Sequence, residues 1–211
     1  MQQEHLTYNI QAVDSESFLG ETKILTCHIE YFVFYDETTI NPLLNQLSIQ
    51  NALDKETEIM ATLYVEACNA FFEGSNALPY NYNTEIVVTM NQDNLFGCYL
   101  NEYIYTGGAH GNLIRSSYNY DLYNCSIISL NTFFVKENSY QCILERIINQ
   151  IKNSKEVEIY FNDYTSLITK YFNPEQFYLT PNGIVIYYSL YDIAPYYMGI
   201  PMFLIPYGVC Y

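Results

Sequence analysis

Apolar residues recur along this chain with two different periods, and each period predicts a different kind of element. From Ile24 to Tyr35 the run ILTCHIEYFVFY is dense in β-branched and aromatic residues, which predicts a long strand closed by the polar stretch Asp36 to Asn41. From about Leu43 to Phe72 the period changes. Ile59, Met60, Leu63, Tyr64, Ala67 and Phe71 recur at three and four while Glu58, Glu66 and Glu73 fall between them, so this is a helix, with Gly74 placed to end it. Ser75 to Asn83, containing Pro79, reads as a loop.

Four shorter segments follow: Glu85 to Met90, Leu95 to Tyr105, Leu113 to Leu122 and Ser126 to Leu130. They are joined by short polar or glycine-rich connections such as Asn91-Gln92-Asp93-Asn94 and predict an antiparallel meander. In the second segment Phe96, Cys98, Leu100 and Ile104 alternate with Gly97, Tyr99, Tyr103 and Tyr105, a pattern for a sheet packed on one side and showing tyrosines on the other. Tyr140, Ile143, Leu144, Ile147, Ile148 and Ile151 make a second helical stripe, and a third helix from about Asp163 to Tyr171 is stopped by Asn173-Pro174. Phe177 to Leu179, the turn Thr180 to Gly183 and Ile184 to Leu190 read as a hairpin, with Met202 to Ile205 as a last strand. Runs of strands beside runs of helices give an α+β fold, an antiparallel sheet with one long helix and two shorter ones. The reading is of one domain over 1–211, with a strand-helix part at 1–84 and the meander, helices and hairpin at 85–211.

Charge narrows the function classes. The net charge is −15 with only eight scattered Lys and Arg, which argues against nucleic acid, since phosphate binding needs clustered cations. Met1 to Ser75 holds 12 acidic and two basic residues, an asymmetry suited to steering a basic protein or to solvating one face. Met1 to Gly20 is polar and acidic, without the pattern of a secretion signal. The apolar run Ile193 to Val209 is broken by three prolines and two glycines, short of the roughly 20 residues a spanning helix needs.

The six cysteines show no C-x-x-C pair and no Cys/His ligand spacing, so no zinc or other metal is expected and mostly free, buried thiols are. His5, His28 and His110 are dispersed, and neither H-E-x-x-H nor G-x-S-x-G occurs. The stretch Tyr105 to Asn112, YTGGAHGN, has three glycines in five residues, which permit positive φ and close backbone approach. A catalytic reading makes His110 a base oriented by Asp121; the alternative makes it a structural loop histidine. Nothing in the pattern predicts a cofactor. The 24 tyrosines and no Trp suit either recognition of protein or sugar, or the residue usage of an AT-rich genome.

YTGGAHGN, then Tyr118-Asn119-Tyr120-Asp121-Leu122, Ser129-Leu130 with Phe133-Phe134, and YYSLYDIAPYYMG from Tyr187 to Gly199 leading to Ile205-Pro206, together resemble the PdaC/RsiV-like superfamily, in order and spacing over roughly Glu85 to Tyr207. The first part resembles the companion region more weakly, and Tyr123-Asn124-Cys125 stands where members tend to have a Thr-Gly turn. The resemblance implies an α+β fold with a curved antiparallel sheet packed against the helices, in a bacterial, extracytoplasmic protein of the cell envelope. Among members this domain is a receptor for lysozyme in an anti-sigma factor and stands beside a separate catalytic domain in a peptidoglycan deacetylase. The metal-binding deacetylase motifs are missing here, so that activity does not carry over.

The expectation is therefore a non-catalytic binding or sensor domain for a basic protein such as lysozyme or for a cell-wall glycan. Its ligand contacts would come from Tyr105, His110, Asn112, Tyr191, Tyr196 and Tyr197. Two other readings compete: a Tyr- and Cys-rich structural protein of a surface or spore layer, and a hydrolase using His110 and carboxylates.

Overall fold

The computed structural model describes residues 5–35, 41–133 and 139–210, and the side chains of 41–44 and 139 lie outside that description. In chain order the elements are β1 (Tyr8–Leu19), β2 (Thr22–Phe34), α1 (Asn41–Phe72), β3 (Tyr80–Gln92), β4 (Leu95–Tyr105), β5 (Asn112–Asp121), β6 (Ser126–Ile127), α2 (Ser139–Lys152), α3 (Tyr164–Tyr171), β7 (Phe177–Thr180), β8 (Gly183–Tyr187) and β9 (Met202–Pro206). The fold is α+β, with the strands in two sheets ordered β1-β2-β3-β4-β5-β6 and β7-β8-β9. The chain divides into two compact units. One holds 6–87 and 100–114; the other holds 88–99 with the described residues from Arg115 onward.

In the first unit β1 and β2 form a long antiparallel hairpin, whereas β2 and β3 pair in parallel from Leu25↔Tyr80 to His28↔Asn83. Parallel neighbours require a crossover, and α1 supplies it. Leu25, Cys27 and Ile29 from β2 meet Ala52, Ile59 and Leu63 from α1 around Tyr82, which is fully buried. Gly74 ends α1 as its spacing predicts: at φ +72 its N–H reaches Phe71 O while Ser75 N reaches Ala70 O, which satisfies two of the last helical carbonyls. Two expectations need correction here. The start of the chain, read as merely polar, holds β1, and β3 begins at Tyr80 inside the stretch read as a loop.

The second unit contains the larger core. The stripe predicted for α2 is buried, with Ile143, Leu144, Ile147 and Ile151 packed against Ile168 of α3 and Phe177, Leu179, Ile184, Ile186, Phe203 and Ile205 of the three-stranded sheet. Each such side chain contributes about 2 kcal/mol of transfer free energy. β3 and β4 are joined by Asp93 and Asn94 alone, both at positive φ (54 and 59), which is the type I′ hairpin turn these residues favour. α3 ends on a tertiary bond, the hydroxyl of buried Tyr188 donating to Ile168 O at 3.0 Å. That carbonyl is one of the last four of the helix and has no partner within it. Tyr188→Phe keeps the ring and removes the bond, so urea unfolding should show a loss of about 1–2 kcal/mol at unchanged slope.

The expectation of mostly free, buried thiols is met only in part. Cys142 on α2 and Cys210 form a disulfide across a separation of 68 residues, while Cys27, Cys68, Cys98 and Cys125 are free. Only Cys27 and Cys98 of these are buried, and burial pushes their thiols up to about 11 and about 12.

Candidate binding surfaces

The six residues expected to contact a ligand fall into two groups, one in each compact unit. Tyr105, His110 and Asn112 belong to the glycine loop between β4 and β5. Tyr105 closes β4 and its hydroxyl donates to Gly108 O at 3.3 Å. His110 is exposed, and its Nδ1 lies 3.0 Å from Gly111 O, so that nitrogen carries the proton in this contact. Asn112 is exposed at the start of β5.

Two of the three glycines are required by packing, and Gly108, at φ +88 in open space, by its backbone conformation. A Cβ on Gly107, at φ +106, would come within 2.6 Å of Ala77 Cβ, and one on Gly111 would come within 2.5 Å of the Tyr103 ring. The loop backbone thus passes close to Ala77 and Tyr103, and its histidine is presented on the surface. Asp121, the orienter that a catalytic reading assigns to His110, is committed to its own turn. Its Oδ1 accepts from the N–H groups of Tyr123 and Asn124 at 2.9 Å, and its Oδ2 accepts from Asn124 Nδ2 at 2.7 Å. These bonds hold its carboxyl below the ordinary carboxylate range.

The second group lies on the segment between β8 and β9. Tyr191 sits at φ +66 with its ring 5.8 Å from that of Tyr196, and Tyr197 is 75% exposed. A 3-10 turn over Tyr196–Met198 is closed by Gly199 at φ +73, whose N–H donates to Tyr196 O. Three tyrosines are therefore held on one short, hydrogen-bonded segment.

Many of the other tyrosines are structural. Tyr82, Tyr178, Tyr187 and Tyr188 are buried, and Tyr99 carries the Arg115 guanidinium 3.9 Å above its ring. The expectation that β4 shows its tyrosines needs correction: Tyr99, Tyr103 and Tyr105 are half-buried, Tyr99 with its ring 5.1 Å from that of Tyr178, whereas the exposed tyrosines of this sheet include Tyr118 and Tyr120 on β5.

Acidity is partitioned as strongly as the tyrosines. Residues 6–87 and 100–114 carry 13 carboxylates and two lysines, a net of −11, whereas 88–99 and 115–211 carry nine carboxylates and six cations. Both lysines of the acidic unit are already engaged. Lys23 lies 2.6 Å from Glu16, and Lys55 lies 3.3 Å from Glu58 and 3.6 Å from Glu102. Glu102 also accepts from the Tyr82 hydroxyl at 2.6 Å; burial first, and then this carboxylate, hold that phenol protonated well above its ordinary range. Among the described residues no group of three or more His, Cys, Asp or Glu could hold a metal ion, and no helix is long and apolar enough to cross a membrane.

Two family models match the chain in succession: "Deacetylase PdaC" over residues 19–113 and "Protein of unknown function (DUF3298)" over residues 131–208. The peptidoglycan-N-acetylmuramic acid deacetylase PdaC of Bacillus subtilis is 28% identical over 103 residues, which is 47% of this chain but 22% of that protein's length. A DUF3298-family structure from Bacteroides fragilis matches with a TM-score of 0.69 at 21% identity, covering 98% of this chain and 92% of that one. A second, from Pseudomonas aeruginosa, gives 0.66 at 21% identity and covers 98% and 93%. The fold is thus shared over nearly the whole chain, and the chain's two parts are similar in turn to the PdaC and DUF3298 families.

Proposed function

We propose that this chain is a non-catalytic, envelope-associated recognition domain whose acidic unit binds a strongly basic protein of the lysozyme type. The observation that carries the reading is the partition of charge, a net of −11 on residues 6–87 and 100–114 with both lysines of that unit held in ion pairs. An uncompensated field of one sign raises the encounter rate with a partner of the opposite sign and penalises wrong partners. Tyr105, His110 and Asn112 supply polar contacts from the glycine loop of that unit. The extracytoplasmic setting is supported by the likeness to a peptidoglycan deacetylase and by the Cys142–Cys210 bridge, since disulfides persist in oxidising compartments.

Cell-wall glycan is the second reading. It is favoured by Tyr191, Tyr196 and Tyr197, whose rings offer stiff apolar area with a hydroxyl at one end.

Calorimetric titration with a c-type lysozyme decides between them. Binding in the low-micromolar range or tighter is expected at low salt, weakening several-fold at physiological salt as exposed charges are screened. An affinity indifferent to salt would remove the electrostatic basis, and no binding of lysozyme together with binding of muropeptide fragments would transfer the function to the tyrosine segment.

A further inference from the structure

We propose that the outer edge of β1, from Asn9 to Leu19, is a docking site for an extended basic peptide segment, which joins the sheet there as an additional strand. The inference rests on the reading of the acidic unit as a receptor for a basic protein, and assigns part of that recognition to a backbone edge. β1 is terminal in the strand order, and among the described residues its partner strand is β2, matched from Tyr8↔Phe34 to Leu19↔Thr22. A strand directs alternate N–H and C=O pairs to opposite edges, so an edge of this length presents about five pairs, of which the Ile10 N–H is held by Asn9 Oδ1 at 3.0 Å until a new partner displaces it.

Edges that must stay unpaired are guarded by proline, lysine, short length or bulges. β1 is 12 residues long and contains neither proline nor a basic residue, and its one register shift lies between Ser17 and Phe18, near its end. What it does carry is negative charge. Val13 packs with the core under α1, and Ser17 points the same way, its hydroxyl 3.9 Å from Met60 Sδ. By alternation Asp14 and Glu16 lie on the opposite face, Asp14 2.7 Å from His28 Nδ1 and Glu16 2.6 Å from Lys23, with Glu30 of β2 also against His28, so three carboxylates share one lysine and one histidine there.

That charge selects the occupant. A second copy of β1 would set acidic residues against acidic residues across a spacing of about 5 Å, which is destabilising, whereas a strand with Lys or Arg at alternate positions gains cross-strand pairs with Asp14 and Glu16. Main-chain bonds then give affinity, and the alternating cations fix register and face.

The probe is a ten-residue L-peptide alternating Lys with Val or Thr, titrated into the full chain at physiological salt. Two versions, N-methylated at either the odd or the even residues, keep the charge but each remove the donors of one edge. The expected result is that one methylated version binds at least tenfold more weakly than the parent. The parent should also shift the amide resonances of Asn9–Leu19, and Asp14→Lys with Glu16→Lys should lower its affinity at least tenfold. Equal binding by all three peptides would mean charge alone and would overturn the edge proposal. A lysozyme titration beside it separates the two claims: lysozyme binding without peptide discrimination removes the edge and leaves the receptor reading, while discrimination without lysozyme binding keeps the edge and removes lysozyme as the partner.

Discussion

Loss of the Cys142–Cys210 bridge lowers the free energy of unfolding by about 4 kcal/mol, because the two cysteines close a loop across a separation of 68 residues. In the chain-entropy account the stabilisation acts on the unfolded state, whose freedom is cut by the cross-link, and it grows with the logarithm of loop length. Without the bridge, α2 is still held to β9 by the shared core, in which Ile143, Ile147 and Ile151 pack with Phe203 and Ile205, while the residues after β9 have fewer ties. Gln150 Nε2 donates to Leu204 O at 3.0 Å, and Tyr207, with its ring 6.1 Å from that of Phe133, donates to Thr180 O. The measurement is urea unfolding of oxidised protein beside the Cys142→Ser/Cys210→Ser double variant, which avoids confusion with the four free thiols. A difference below about 1 kcal/mol would show that the reduced unfolded chain is already constrained near these residues. Should the bridge matter this much, a reducing compartment would cost the protein a large part of the 5–15 kcal/mol available to a domain, which links the disulfide to the proposed extracytoplasmic location.

Where burial follows a clean period, the sequence was readable. The stripe of α2, the Gly74 stop of α1 and the β7–β8 hairpin are where spacing and turn chemistry put them, and the connection expected over Asn91-Gln92-Asp93-Asn94 narrows to a turn at Asp93-Asn94. β1 escaped because its inward positions include Ser15 and Ser17 and its outward ones Asp14 and Glu16, so both faces look polar and no alternation of hydropathy marks it. β3 was shortened for the opposite reason. Pro79 and a run of Asn and Tyr read as a loop, yet Tyr82 is inward and fully buried, and Asn81 is held by Thr26 Oγ1 of the parallel neighbour at 2.7 Å. The parallel pairing itself is a fact of topology that no local pattern carries. Nor does the disulfide have a local signal, since Cys142 sits on an otherwise ordinary helix and its partner lies 68 residues away.

The site was legible as residue types and opaque as geometry. The glycine loop was recognised, but its reason, the approach of Ala77 and Tyr103 to the positions of Gly107 and Gly111, is tertiary. The partition of charge between the two units was visible only as an acidic first third, because 100–114 join the first unit while 88–99 do not. Asn119 was quoted for resemblance and given no task. A signal was present: by alternation it lies on the face of β5 opposite Tyr118 and Tyr120, where a polar residue needs a specific partner.

That partner is the backbone of β7, which makes Asn119→Ala the other substitution with a large expected effect. Asn119 is 3% exposed; its Nδ2 donates to Phe177 O at 3.0 Å and its Oδ1 accepts from Leu179 N at 2.9 Å. One amide side chain thus pairs with β7 as a strand would, tying β5 to the three-stranded sheet within the second unit. Gly97 fits beside it because a Cβ there would press to 3.2 Å from Asn119 Oδ1, Leu179 Cβ and Met90 Cβ. Alanine leaves a buried carbonyl and a buried N–H without partners, at about 1–3 kcal/mol each. The expected loss is about 3 kcal/mol, a fall of about 6–12 °C in the melting temperature of a chain this size. A loss below 1 kcal/mol in calorimetry would show that water or a local shift satisfies both groups.

Asn119→Asp gives a second, pH-dependent readout of the same geometry. The carboxylate still accepts from Leu179 N but faces Phe177 O with no proton to donate, so burial and that carbonyl raise its folded pKa above the unfolded value. The variant is therefore most stable below the unfolded carboxyl pKa of about 4, where the protonated acid can donate to Phe177 O, and loses stability as pH rises through the folded pKa. Wild-type protein has an uncharged amide at this position and lacks that component, so the difference between the two melting-temperature profiles from pH 3 to pH 8 isolates the bond to Phe177.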